Sequence, residues 1–278
     1  MNDDFKNLLK LLDDDNEQLA GIAMAELISR ADSRLDRVLR FLQESPDPKL
    51  RKRVLQLQSA ITSRKRRQSI AEEFCSENVS LLNAVLYLHL LWYDNDTLEE
   101  ITEQWNEFLR EIGEPEPPGT LQILLARLAK TIRFYTEAGG LEPPEAMCLG
   151  TVLEENTATD YMGCIIGKLA ADHWNIRTEI FSSGSSFLLF DGENMYDPRK
   201  EWTALPKSAT QQFEFYKWSE RELISLLSYS IFTIAVATDS FRYVHTLGCC
   251  IGRQPNIHFL PYPYGDHSSG GTVSTEKK

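Results

Sequence analysis

Cys164 is the obvious nucleophile of this sequence. It lies in Thr157–Pro198, TATDYMGCIIGKLAADHWNIRTEIFSSGSSFLLFDGENMYDP, where Asp160 and Tyr161 precede it and Ser186 and Asp197 follow. A thiol attacks as thiolate, so it needs a base or a positive environment, ideally at a helix N-terminus. The spacing of Met162, Ile165, Ile166, Leu169, Ala170 and Trp174 predicts a helix buried over most of its circumference, with Asp160 as its cap. Cys164 then sits about one turn inside that helix. His173 lies further along the same helix and cannot reach back, and the Ser186 hydroxyl is a poor proton acceptor near neutral pH. An imidazole would have to come from His245, His258 or His267. The residues favour a buried structural thiol over a working dyad.

Other groups that carry chemistry elsewhere are weaker here. Asp160 and Asp197 would make a carboxylate pair if the fold joined them, but as helix cap and turn former they are explained locally. Cys249-Cys250 beside His245 and His258 lacks zinc-site spacing, so no metal is expected, and no cofactor either. Gly184 and Gly192 flank a strand instead of opening a helix, and Ser183-Gly184-Ser185-Ser186 lacks the second glycine of a nucleophile elbow.

The elements around these residues are mostly helical. Leu81–Tyr93 is apolar on nearly every face and predicts a central helix, ended by Asp94-Asn95-Asp96. Thr97 with Glu100 forms a capping box for a helix burying Leu98, Ile101, Trp105, Phe108 and Ile112. After the GEPEPPG loop, Thr120 caps a helix expected to reach Tyr135, and Pro143-Pro144 begins a short helical piece to Leu153. Arg177–Phe181 and Phe187–Phe190 read as strands, the second too apolar for a wet edge, and Gly192–Asn194 as a hairpin turn. A further strand is expected at Phe213–Tyr216. Ser219 with Glu222 caps a helix through Ile234, and Asp239 or Ser240 caps one to about Cys250.

The first sixty or so residues repeat a pattern. Leu8, Leu9, Leu11 and Leu12, an acidic turn and Leu19 are echoed by Val38, Leu39, Phe41 and Leu42, the Ser45–Pro48 turn and Leu50; Leu27 and Leu57 close each unit. Two such hairpins resemble HEAT-like repeats. Ser63–Gln68, SRKRRQ, is the one basic cluster and reads as a solvated linker or helix end.

The whole chain has 29 basic and 41 acidic residues, a net charge of −12. That balance argues against general binding of nucleic acid or an anionic membrane. The N-terminus is acidic and amphipathic, unlike a signal peptide. The most apolar run is too short to span a bilayer. An odd cysteine count at irregular spacing suggests no disulfide framework, and a reducing cytoplasm is expected.

From about Leu81 to Pro255 the order of elements resembles the bacterial SirB-type family, transglutaminase-like proteins with a C-terminal tetratricopeptide segment. The likeness rests on the helical region up to Gly139, Val152-Leu153 ahead of the Thr157–Ile176 helix, Phe187-Leu188-Leu189, Asp197-Pro198, and the paired helices near Leu223–Cys250. The resemblance implies an α+β fold, mostly helical: N-terminal helical repeats, then a transglutaminase-like (papain-like) core with a small antiparallel sheet and a C-terminal helix pair. It divides the chain into a HEAT-like segment at 1–68, a transglutaminase-like domain at 69–217 (helical over 69–153, helix plus sheet over 154–217), a tetratricopeptide-like pair at 218–260 and a polar tail at 261–278. In the family's register the nucleophile slot falls near Asp160–Tyr161, not at Cys164. The family's Gly-His-Phe is Ser185-Ser186-Phe187 here, and only the Asp-Pro corner survives, as Asp197. Asp160, Tyr161, Cys164, Ser186 and Asp197 are thus candidates for a vestigial site. The implied function is a non-catalytic scaffold engaging a protein partner. The alternatives are a cysteine hydrolase or acyltransferase using Cys164, and a small-ligand protein using the cleft between Asp160, Ser186 and Asp197.

Overall fold

The computed structural model describes residues 3–30, 33–76, 78–93, 95–135, 142–206, 214–238 and 240–252. The chain divides into two compact units, Met1–Ser69 and a second from Ile70 onward. His258, His267, Asp239 and the polar tail at 261–278 lie outside the described residues, as do the side chains of Cys249 and Cys250.

The first unit holds α1 (Asp3–Leu11), α2 (Glu17–Ser29) and α3 (Ser33–Leu42), with α4 (Pro48–Phe74) beginning in it. Part of the repeated pattern is buried: Leu12, Leu27, Leu39, Leu50 and Leu57 join Leu35, Val54 and Ile61 in one apolar cluster, whereas Leu19 and Phe41 of the same pattern are exposed, at 40% and 77%. Arg53 is buried inside the unit, donating to the carbonyls of Leu12 (2.9 Å) and Asp14 (2.6 Å), which satisfies acceptors left open where α1 ends. The SRKRRQ segment is neither linker nor helix end. It is interior to α4, whose backbone continues regularly because no glycine or proline interrupts it.

The second unit is mostly helical with one small antiparallel sheet. Its core gathers α5 (Leu81–Trp92), α6 (Leu98–Gly113), α7 (Leu121–Thr131), α8 (Leu149–Glu155) and α9 (Asp160–His173) with the helix pair α10 (Glu220–Ala237) and α11 (Phe241–Gly252). Both capping boxes form: Thr97 and Glu100 exchange side-chain-to-backbone bonds at the start of α6, and Ser219 and Glu222 do so at α10. The helix from Thr120 stops at Thr131, short of Tyr135. Arg133–Phe134 instead makes a two-residue strand, β1, pairing in parallel with β2 (Thr157–Ala158). Thr157 therefore belongs to a strand ahead of α9 and not to the helix itself.

Among the described residues the larger sheet runs in the order β6 (Thr203–Pro206), β5 (Asn194–Asp197), β4 (Ser186–Phe190), β3 (Glu179–Ser183), β7 (Tyr216–Trp218), each neighbouring pair antiparallel. The apolar FLLF run is in the central strand, covered on both faces. Ile180, Leu189 and Tyr196 join the main core, while Leu188, Phe190 and Met195 form a second cluster with Phe181 and Phe215. The serine-rich crossing is a tight hairpin, with Ser183 opposite Ser186 and Gly184 at φ 58°. The Gly192 turn is fixed by Asp191, whose Oδ1 accepts from the amides of Glu193 (2.8 Å) and Asn194 (2.7 Å). Of the expected strand at Phe213–Tyr216, Phe213 lies outside the described residues, Glu214 and Phe215 are not strand, and Tyr216 opens β7.

Candidate functional site

The N-terminus of α9 is where the predicted residues meet. Thr159, not Asp160, is the cap: its hydroxyl accepts from the Met162 amide at 3.2 Å. Both residue types favour that position, and the choice is settled by what the Asp160 carboxylate does instead. It is the first helical residue, a favourable place for an anion at the positive end of the helix dipole. One oxygen accepts from its neighbour's amide, Tyr161, at 2.8 Å, and the other pairs with the Arg199 guanidinium at 2.9 Å. The Phe187 amide adds a further bond to the carboxylate.

Asp197 approaches the same place from the sheet. It ends β5, and its Oδ1 accepts from the Arg199 amide at 2.9 Å across a short 3₁₀ turn, Pro198–Lys200. Lys200 stands 3.7 Å from its other oxygen. Arg199 completes the link by donating to the Ser185 carbonyl at 2.6 Å. One arginine thereby ties α9, the β3–β4 hairpin and the Asp197 corner together. The corner is strained: Glu201 and Trp202 follow with φ of 51° and 59°, a left-handed region that non-glycine residues rarely adopt. The Trp202 amide donates to the Asp197 carbonyl at 2.9 Å, and its buried indole N–H has no partner among the described residues.

Burial raises the Asp160 carboxyl above its usual range, with the Arg199 charge opposing and the Asp197 charge adding to the rise. Glu142 is raised as well, first by burial and then by Asp160, while the Tyr161 hydroxyl works the other way. Tyr161 is itself buried and pushed up by burial; its hydroxyl meets the Met147 sulfur, and its ring lies 5.7 Å from Phe187. Three carboxyl groups, the Arg199 guanidinium and the more exposed Lys200 ammonium thus share one cluster of charge. Among the described residues, no three His, Cys, Asp or Glu side chains are grouped as metal ligands.

Cys164 lies behind this cluster with no exposure. Burial drives its thiol well above the ordinary value, and the Asp160 and Asp197 charges push the same way, against Arg199. That is the reverse of the environment a nucleophilic thiolate needs. Ser186 is half-buried in β4 opposite Ser183, and its side chain takes no part in the ion-pair network among the described residues. His173 ends α9 against its neighbour Trp174, and His245 is exposed on α11. The structure therefore brings Asp160, Tyr161, Cys164 and Asp197 to one place, without a histidine among the described residues.

Arg199, Glu142 and His89 escaped the sequence reading. Nothing local marks Arg199, whose partner is at position 160, or Glu142, which faces Asp160 and Tyr161. His89 lies in the largely apolar α5 and is 2% exposed. Its Nδ1 accepts from the Gly150 amide at 3.1 Å, so the ring proton is on Nε2, which donates to Asp96 at 2.8 Å. A lone ionisable residue in such a helix must find a partner, and Asp96 in the turn just beyond was the available signal. No family model, curated protein or solved structure matches this chain.

Proposed function

We propose that this chain is a non-catalytic protein that keeps a transglutaminase-like arrangement and acts as an interaction or regulatory component toward a protein partner. The observation that carries the reading is the state of Cys164: fully buried, shifted toward the thiol, and without a hydrogen-bonding partner among the described residues. The slot ahead of it supports the same reading, since Asp160 is committed to Arg199 and the space between Asp160 and the β3–β4 hairpin is spanned by that guanidinium. A small ligand would have to displace a charge-assisted contact to enter there. The repeat-like first unit supplies surface for a partner, with Ile22, Phe41 and Leu55 exposed on its helices.

Activity toward acyl substrates tests this against the cysteine hydrolase. The wild-type chain and Cys164→Ser are expected to turn over a panel of activated acyl esters and thioesters at the same low rate. A loss of about tenfold or more on substitution would restore the enzyme reading, because a thiol nucleophile cannot be exchanged for an unactivated hydroxyl without cost.

A further inference from the structure

We propose that His89 is an acid-sensitive latch that, through the segment Ala146–Gly150, sets how firmly the N-terminus of α9 is held. The His89 ring joins three pieces of the second unit: α5, which carries it; the turn holding Asp96; and the first turn of α8, whose Gly150 amide it accepts. A Cβ on Gly150 would lie 2.6 Å from the His89 Cε1, so the contact needs glycine there. The segment just before Gly150 carries two anchors of the candidate site. The Ala146 carbonyl accepts from the Thr159 amide at 3.0 Å, and the Met147 sulfur receives the Tyr161 hydroxyl. A change at His89 therefore reaches α9 through a short covalent stretch.

Only the neutral ring fits this arrangement. A second proton would go to Nδ1, which faces the Gly150 N–H, and would set donor against donor in a buried place. Asp96 is the anion in contact with the ring, and Glu154 of α8 faces it from further off. The Tyr93 ring, just past the end of α5, is 5.0 Å away, and Tyr243 of α11 meets α5 by stacking on Trp92. The buried face of α6 carries no ionisable side chain, and α10, which also packs on α5, brings the partly buried Tyr229 against the same core, its hydroxyl held above the ordinary tyrosine value by burial. Burial outweighs the two carboxylates and holds the His89 pKa below 6.5. The contribution of the neutral ring is therefore complete above about pH 6.5 and is lost as the pH falls toward the folded-state value. Asp160 and Glu142, whose values are raised, act in the opposite sense on global stability, so a local readout is required.

Hydrogen exchange and NMR on the full chain provide it. Between pH 7 and mild acid, protection of the Gly150 and Thr159 amides is expected to fall together by about tenfold, while amides in the middle of α10 keep theirs. Ring nitrogen shifts should show the Nε2–H tautomer at pH 7. His89→Gln should remove the acid step, and Asp96→Asn should move it to lower pH. Loss of protection at Gly150 without Thr159 would overturn the coupling to α9. A neutral ring protonated on Nδ1, or Gly150 protection lost only with global unfolding, would overturn the latch; both are read on the wild-type chain and need no variant to fold.

Discussion

Gly150→Ala is expected to destabilise the second unit by about 2–3 kcal/mol. The added methyl would stand 2.6 Å from the His89 Cε1 and 3.1 and 3.2 Å from the two ring nitrogens. Flexible neighbours relieve such clashes cheaply, but this ring is fixed at both nitrogens, so relief means breaking a buried hydrogen bond. Overpacking costs roughly 1–3 kcal/mol and an orphaned buried group a similar amount. The gain in helix propensity from glycine to alanine returns only about 1 kcal/mol. Urea denaturation followed by tryptophan fluorescence measures the difference, since all 5 tryptophans lie beyond Ser69 and report on the second unit. Gly119→Ala, where a Cβ meets nothing within 4 Å, is the matched control and should stay within about 0.5 kcal/mol of wild type.

Arg199→Met should cost about 1–2 kcal/mol at pH 7. The figure is below that of a fully buried pair because 38% of the arginine side chain is exposed and solvent screens it. Its loss leaves the Asp160 carboxylate facing Asp197 and Glu142 with only amide donors. The sign of the pH effect follows. Asp160 already has a folded-state value above its unfolded one, and removing the guanidinium raises it further, so the deficit shrinks as the pH falls and the carboxyl takes up a proton. Asp160→Asn in the Arg199→Met background should recover part of the loss at pH 7, whereas in the wild-type background it should destabilise. A double-mutant cycle by the same denaturation assay isolates the coupling. Additive effects would mean that the ion pair contributes nothing to the fold.

Much of the architecture was legible from local signals. The two capping boxes, the buried part of the first unit's leucine pattern and the apolar run Phe187–Phe190 each carry a period or spacing that survives folding. What was missed lacks such a signal. The β1–β2 pair is two residues long on each side, too short for an alternating pattern to register. Thr159 and Asp160 are adjacent cap-forming types, and the contact that decides between them comes from Arg199, 39 positions away. The end of the first unit's pattern at the basic cluster looked like an end of structure, yet α4 runs on because its residues are good helix formers. For the candidate site, the stretch that gathers the residues was readable and the roles only partly so. The burial of Cys164 is legible because apolar positions surround it in the helix pattern, but the arginine that fills the site and the histidine that braces it depend on tertiary contacts alone.

The most direct test of the claim that this site is structural is the alkylation rate of Cys164 in the native chain, resolved peptide by peptide against Cys75, which is partly exposed. With iodoacetamide near neutral pH, Cys164 is expected to react at least about a hundredfold more slowly than a free thiol, at a rate set by opening of the core. Cys164 labelling first, with a rate that titrates well below the ordinary thiol value of about 8.5, would contradict it and mark the residue as a nucleophile.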